Sequence, residues 1–265
     1  MYYIYHTNNE KNLKYKCRLG RKRKIQDLIL QIIPKSFTTY IEPFIGSGDI
    51  YLFLNLDEST KAVINDLDPL ISESWKLIKS NPSVDGVHRY DKLTDAEKNK
   101  YVFNTTHTNP LDKLVKNIAR LCGSFSGIVR NSDKKLYNFS KVQSKLNKID
   151  SISKYMKNTT VLNQDYKTVI KKYDNANAFI YLDPPYENPD SKLYREEDMD
   201  YEEMARFLKN VKGKFLLSIN DSPNIRNIFK DFNIKKITVD GAANKGSPLK
   251  TIGVKQRAEV LITNY

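Results

Sequence analysis

Tyr40-Ile-Glu-Pro-Phe-Ile-Gly-Ser-Gly-Asp49 sets two glycines directly behind an apolar run and directly ahead of a helical stretch. Gly46 and Gly48 permit a tight turn and let a ligand approach the backbone closely, as at the first corner of a doubly wound sheet. Working outward, short runs rich in Val, Ile, Leu, Phe and Tyr recur at 40–44, 62–65, 160–162, 178–182, 215–219, 236–239 and 260–263. Several are unbroken, as strands buried on both faces require. Helical patterns separate them, for example at 25–33, 201–211 and 225–229. The alternation predicts an α/β fold built on a doubly wound, Rossmann-like sheet.

One stretch breaks that rhythm. From Ile71 to Asn158 the chain is helical in pattern and strongly basic, with a turn-rich run of mixed polar and aromatic residues at 124–140. A connection of that length inside a compact domain must carry its own structure. The expected organisation is one domain formed by 1–70 and 159–265, with 71–158 as an inserted, mainly helical subdomain carrying a hairpin.

The chain has 265 residues, 44 Lys+Arg against 31 Asp+Glu, and a formal charge of +13. A globular chain that basic points to a polyanionic partner, nucleic acid first. Two cysteines, Cys17 and Cys122, exclude a disulfide scaffold and a four-cysteine zinc site. His6, His88 and His107 have no ligand spacing, so no metal is expected. No apolar run reaches the roughly 20 residues needed to span a bilayer, and the polar start is unlike a signal peptide. A cytoplasmic, intracellular protein without a membrane partner is expected; oligomeric state is not legible.

The glycine turn carries an acidic residue, Glu42, which would repel a pyrophosphate but suits a ligand with a positive group, such as the amine of a methionine moiety. Asp66 closes the next strand, 20 residues beyond Gly46, where a carboxylate can bond a ribose hydroxyl. Asp165 and Tyr166, closing the third strand, can hold an adenine ring by hydrogen bond and contact. The three acidic strand ends form a row suited to a nucleoside.

Ala178-Phe-Ile-Tyr-Leu-Asp-Pro-Pro-Tyr186 is the most specific feature of the sequence. An apolar strand runs straight into Asp183-Pro184-Pro185-Tyr186 at the carboxyl edge, where such sheets bind ligands. The two prolines fix two φ angles and remove two donors, leaving rigid, free carbonyls. The Asp183 carboxylate and the Pro184 carbonyl are then two acceptors able to converge on one amino group. The N6 lone pair of adenine is delocalised into its ring; acceptors on its two hydrogens localise it for attack. Tyr186 offers a flat face for a base that has left its duplex.

These residues resemble the Dam-type, or D12, class of DNA adenine-N6 methyltransferases, over nearly the whole chain. Glu42-Pro43-Phe44-Ile45-Gly46-Ser47-Gly48 resembles the family's cofactor run, which implies cofactor contacts for Phe44 and Ser47 as well. Asn65-Asp66 and Gln164-Asp165-Tyr166 resemble its ribose and adenine contacts. Asp183-Pro184-Pro185-Tyr186 matches its catalytic tetrad, and Leu217-Ser218-Ile219-Asn220 and 257–265 resemble its following and closing strands. The segment Cys17-Arg-Leu-Gly-Arg-Lys-Arg-Lys24 resembles the opening cofactor motif at Gly20 and Lys22, with Arg18 where the family has an aromatic residue. Within the insert, Phe125–Arg130 and 136–138 resemble the flanks of a base-reading hairpin, which implies DNA contacts for Arg130, Ser132, Lys134, Tyr137 and Asn138. Lys134 stands near a position often held by Arg, and no proline follows Asn138; Arg and Lys read guanine with different geometries.

The resemblance implies S-adenosylmethionine as methyl donor, no metal, a Rossmann-like methyltransferase sheet and an insert that recognises duplex DNA. The expected activity is site-specific methylation of adenine N6 in a flipped base. Two other readings stay open on sequence: adenine in RNA, because the tetrad recognises the base and not the sugar, and a catalytically silent nucleic-acid-binding protein, whose signature would be decay of motifs that are intact here.

Overall fold

The computed structural model of the chain describes residues 26–81, 90, 92–123, 141–186, 199–239 and 257–265. Its elements in chain order are α1 (Gln26–Ile32), β1 (Thr39–Glu42), α2 (Asp49–Leu54), β2 (Lys61–Asn65), α3 (Pro69–Lys79), α4 (Asp95–Phe103), α5 (Pro110–Gly123), α6 (Lys141–Leu146) and α7 (Ile149–Tyr155). Then come β3 (Thr159–Leu162), α8 (Tyr166–Tyr173), β4 (Ala178–Leu182), α9 (Tyr201–Leu208), β5 (Lys214–Asn220), α10 (Pro223–Ile228), β6 (Asn233–Val239) and β7 (Arg257–Thr263).

The strands form one seven-stranded sheet in the order β3-β2-β1-β4-β5-β7-β6. The ladders from β3 through β5 are parallel, and β7 runs antiparallel to both β5 and β6. Strand side chains alternate between two buried clusters. Tyr40, Ile64, Phe179, Tyr181 and Leu216 belong to one. Ile41, Val63, Ile180, Leu182 and Leu217 belong to the other. β4 is buried at every position, which is why its sequence is an unbroken apolar run and not an alternation.

Helix starts follow from local chemistry. Asp68, Asp165, Asp200 and Ser222 each accept a backbone N–H from the first turn of α3, α8, α9 and α10, and Pro69 and Pro223 fill first-turn positions. Thr94 and Glu97 close a reciprocal capping box on α4.

Between β2 and β3 the chain passes through α3 to α7. Their buried residues, among them Trp75, Ile118, Leu146 and Ile152, join Tyr40 and Tyr51 in the cluster on the first face of the sheet. The described helices of the insert and the sheet therefore share one apolar core. The run at 124–140, with the expected hairpin, lies outside the described residues.

Candidate active site

Ligands of an open α/β sheet sit where the chain order reverses, outside the carboxyl ends of the strands on either side. Here the reversal falls between β1 and β4: β1 leads outward to β2 and β3, and β4 leads outward to β5. β1 runs into Glu42 and the glycine turn, and β4 runs into Asp183 and the Pro-Pro turn. Strand periodicity puts Tyr40 and Glu42 on the same face as Phe179, Tyr181 and Asp183. Two segments separated by well over a hundred residues thus meet at one crevice.

The two glycines of the turn do different things. Both have positive φ, 46° at Gly46 and 68° at Gly48. A Cβ on Gly48 would lie 2.5 Å from the Trp75 ring, whereas one on Gly46 would meet nothing within 4 Å among the described residues. Gly48 is a packing requirement; Gly46 leaves backbone open to approach. Trp75, from α3, also donates its indole Nε1–H to the Gly46 carbonyl at 3.1 Å, fixing the turn from below. From the other side the Gly46 N–H donates to Asp66 Oδ2 at 2.9 Å, and the Asp68 N–H donates to Asp66 Oδ1 at 3.0 Å. Asn65, 1% exposed, donates to the carbonyls of Pro43 and Gln164 and accepts the Gln164 N–H, each at 2.9 Å. One amide side chain therefore ties together the carboxyl ends of β1, β2 and β3.

Glu42 is 2% exposed and accepts the Tyr40 hydroxyl at 2.7 Å. Burial pushes its carboxyl well above the usual carboxylate range, the Tyr40 bond pulls it back, and the carboxylates of Asp183 and Asp49 push it further up. Among the described residues no Lys or Arg forms an ion pair with Glu42. Carboxyl groups thus gather at the carboxyl ends of β1 and β4. A setting of that kind favours a ligand that brings a positive charge.

The Pro-Pro turn is braced from α9. The Tyr201 hydroxyl donates to the Pro185 carbonyl, so that carbonyl is not free, contrary to the expectation that both would be. Among the described residues the Pro184 carbonyl has no such partner and remains available beside the half-buried Asp183. Pro184 itself is buried, and Tyr186 is half-buried against the cluster on the second face.

Asp66 and Asp165 do not end strands: β2 stops at Asn65 and β3 at Leu162. Asp165 is the N-cap of α8 and accepts the Lys167 N–H at 2.9 Å while staying exposed. Tyr166 packs its ring 5.5 Å from Phe44 and 5.9 Å from Phe207, so an aromatic wall flanks the glycine turn on the second face. Ser47 is half-buried within the turn. Gly20, Lys22, Arg130, Ser132, Lys134, Tyr137 and Asn138 lie outside the described residues.

Three residues of this region, Trp75, Tyr201 and Tyr181, and the tying role of Asn65 escaped the sequence reading. Trp75, Asn65 as a three-way tie, and Tyr201 act through contacts between distant segments, for which the sequence holds no local signal. Tyr181 did carry one, since a strand period of two places it on the face of Asp183.

Among the described residues no His, Cys, Asp and Glu side chains are grouped to hold a metal ion. Nor, among them, is any helix long and apolar enough to cross a membrane. The strand order, with an antiparallel β7 and carboxyl groups at the reversal point, is that of a Rossmann-like α/β fold, and the family model that matches the chain is a methyltransferase model. Within that class the chain belongs to the D12 class N6 adenine-specific DNA methyltransferase family, whose family model matches residues 19–240. It is 27% identical over 272 residues to the type II methyltransferase M1.LlaDCHI of Lactococcus lactis subsp. cremoris, covering 93% of each chain. It is 28% identical over 292 residues to the type II methyltransferase M.MjaIII of Methanocaldococcus jannaschii, covering 93% of this chain and 96% of the other. The type II methyltransferase M.CviBI of Paramecium bursaria Chlorella virus NC1A is similar at 21% identity over 217 residues, covering 76% of this chain and 80% of the other.

Proposed function

We propose that the chain methylates N6 of a flipped adenine within a specific site of duplex DNA, using S-adenosylmethionine. The observation that carries this reading is the position of Asp183 and the open Pro184 carbonyl. They stand at the reversal crevice of a chain whose family acts on adenine N6 in DNA.

The residues present fit the cofactor. Glu42 is a buried carboxyl with no ion pair among the described residues, which suits a sulfonium or an amine; Gly46 leaves room at the backbone; Asp66 suits a ribose hydroxyl; Phe44 and Tyr166 suit a purine. When bound, S-adenosylmethionine supplies an electrophilic methyl carbon: the N6 lone pair forms the new N–C bond, the C–S pair goes to sulfur, and one N6 proton is lost. The Asp183 carboxylate and Pro184 carbonyl accept the two N6 hydrogens and aim the lone pair. Tyr186 stacks the extruded base. Tyr201, through Pro185, holds the turn that presents both acceptors. The insert at 71–158, within a chain of net charge +13, docks on phosphates, and its hairpin reads bases through Arg130 and Lys134. Gly20 and Lys22 complete the cofactor site.

The test is competition. With labelled S-adenosylmethionine and unmethylated duplex DNA and RNA together, label is expected in N6-methyldeoxyadenosine by mass spectrometry. Label in the ribonucleoside would move the substrate to RNA, and no label with no cofactor bound would favour a silent binding protein.

A further inference from the structure

Helix α5 has an apolar face and a basic one. Leu114, Val115, Ile118 and Ala119 are buried in the core shared with the sheet. Lys113, Lys116 and Arg120 stay partly exposed, and at 3.6 residues per turn they fall within about 60° of one another. None of the three forms an ion pair among the described residues. Lys116 Nζ reaches the Thr105 carbonyl, at 3.4 Å. Arg120 Nε is sealed from solvent and has no hydrogen-bond partner among the described residues, although a guanidinium carries five donors and a permanent charge. Two carboxylates border the face, and each is held by a neutral donor. The Tyr101 hydroxyl donates to Asp112 at 2.8 Å, and the Asn117 amide donates to Glu73 at 3.0 Å.

Cations elsewhere are matched. Lys167 pairs with Glu203 at 2.7 Å, Lys209 with Asp231 at 2.6 Å and Arg226 with Asp221 at 2.5 Å. Helix electrostatics do not account for the stripe on α5 either. Arg120 lies in the last turn, where a cation is favoured, but Lys113 lies near the amino end, where it is disfavoured. Lys116 and Arg120 are also four residues apart, a spacing at which like charges repel. The face works against its own helix and lacks a protein anion, so its charge is complementary to an external one.

From Lys113 to Arg120 the helix rises about 10 Å. One strand of duplex DNA rises as far over about three nucleotides. Resting on the function proposed above, we infer that this face of α5 is a track for one sugar-phosphate strand of the DNA. Arg120 anchors it by donating to a phosphate, and the two lysines act as point charges on neighbouring phosphates. These contacts set where the insert sits on the duplex and carry no sequence information, unlike the base contacts proposed for Arg130 and Lys134.

The experiment compares the full chain with the triple variant Lys113→Gln/Lys116→Gln/Arg120→Gln. A control, Lys171→Gln/Lys172→Gln/Lys230→Gln, removes the same charge from exposed positions outside the insert. Fluorescence anisotropy would measure binding to a pool of random-sequence DNA duplexes between about 50 and 200 mM salt. Each lost phosphate contact lowers the slope of log affinity against log salt by about 0.9, so the triple variant should lose about 2.7. That fourfold rise in salt then weakens the variant about fortyfold less than the wild type. The control slope, the melting temperature of the triple variant and its calorimetric affinity for S-adenosylmethionine should stay as in the wild type. An unchanged slope in the triple variant would overturn the inference, as would an equal fall in the control, which would make the effect one of net charge. A lowered melting temperature would make the face structural and overturn it too. Wild-type chain that does not bind duplex DNA would instead refute the DNA reading on which the inference rests.

Discussion

Alanine at Gly48 and at Gly46 should cost stability unequally. Both positions have positive φ, 68° and 46°, so each substitution forces an L residue into left-handed backbone at about 1–2 kcal/mol. Only Gly48→Ala also drives a Cβ to 2.5 Å and 2.7 Å from the Trp75 ring, which is itself fully buried and bonded to the Gly46 carbonyl. Overpacking of that kind costs about 1–3 kcal/mol more. Gly48→Ala should therefore lose about 2–5 kcal/mol and Gly46→Ala about 1–2. Urea denaturation would read the difference as a shift in midpoint at constant slope. In a chain of this size each kcal/mol lowers the melting temperature by about 2–4 °C. Cofactor affinity should rank differently: Gly46→Ala projects a methyl into the open approach and weakens binding although it unfolds the protein less. Equal destabilisation by the two variants would refute the assignment of Gly48 to packing, and unimpaired binding by Gly46→Ala would refute the open approach.

Two further outcomes follow from the site. The Glu42 carboxyl titrates above its ordinary 4.5 in the folded chain because burial disfavours its charge, so without ligand its contribution to stability is fully present below about pH 4.5 and is lost as pH rises through the raised value. Glu42→Gln should flatten that decline and raise ligand-free stability at neutral pH while weakening S-adenosylmethionine binding; thermal scans across pH with calorimetry would show both, and an unchanged pH profile would contradict the account. Asn65→Ala removes three hydrogen bonds at 2.9 Å and strands buried partners, at a cost of about 1–3 kcal/mol or more by denaturation, with a loss of cofactor affinity as the strand ends loosen.

Much of the fold was legible because each central strand is an apolar run between turn signals. The run at 178–182 coincides with β4, and 62–65 and 160–162 fall one residue short of β2 and β3. Errors concentrate where polarity hides a strand. β6 begins at Asn233 and not at 236, since an edge strand keeps Asn and Lys on its solvent side, and β1 ends at Glu42 because Pro43 has no N–H to continue the ladder. Within the site, Glu42 and Asp183 could be read as strand-end carboxylates of a nucleoside-type crevice. Their consequences could not: that Glu42 is buried without an ion pair among the described residues, that Trp75 clamps the glycine turn and that Tyr201 takes one proline carbonyl are all products of long-range packing. Asp165 shows the opposite case, since an Asp ahead of a helical stretch is also an N-cap signal, and that is how the fold uses it.

The central claim is that Asp183 holds the target amino group at the crevice shared with the cofactor. Its most direct test compares wild type and Asp183→Ala for cofactor affinity by calorimetry and for label transfer into N6-methyldeoxyadenosine. The account predicts affinity retained within a few-fold and transfer reduced by about a thousandfold or more, as for loss of a group acting in the transition state. Transfer surviving in Asp183→Ala at near wild-type rate would contradict it.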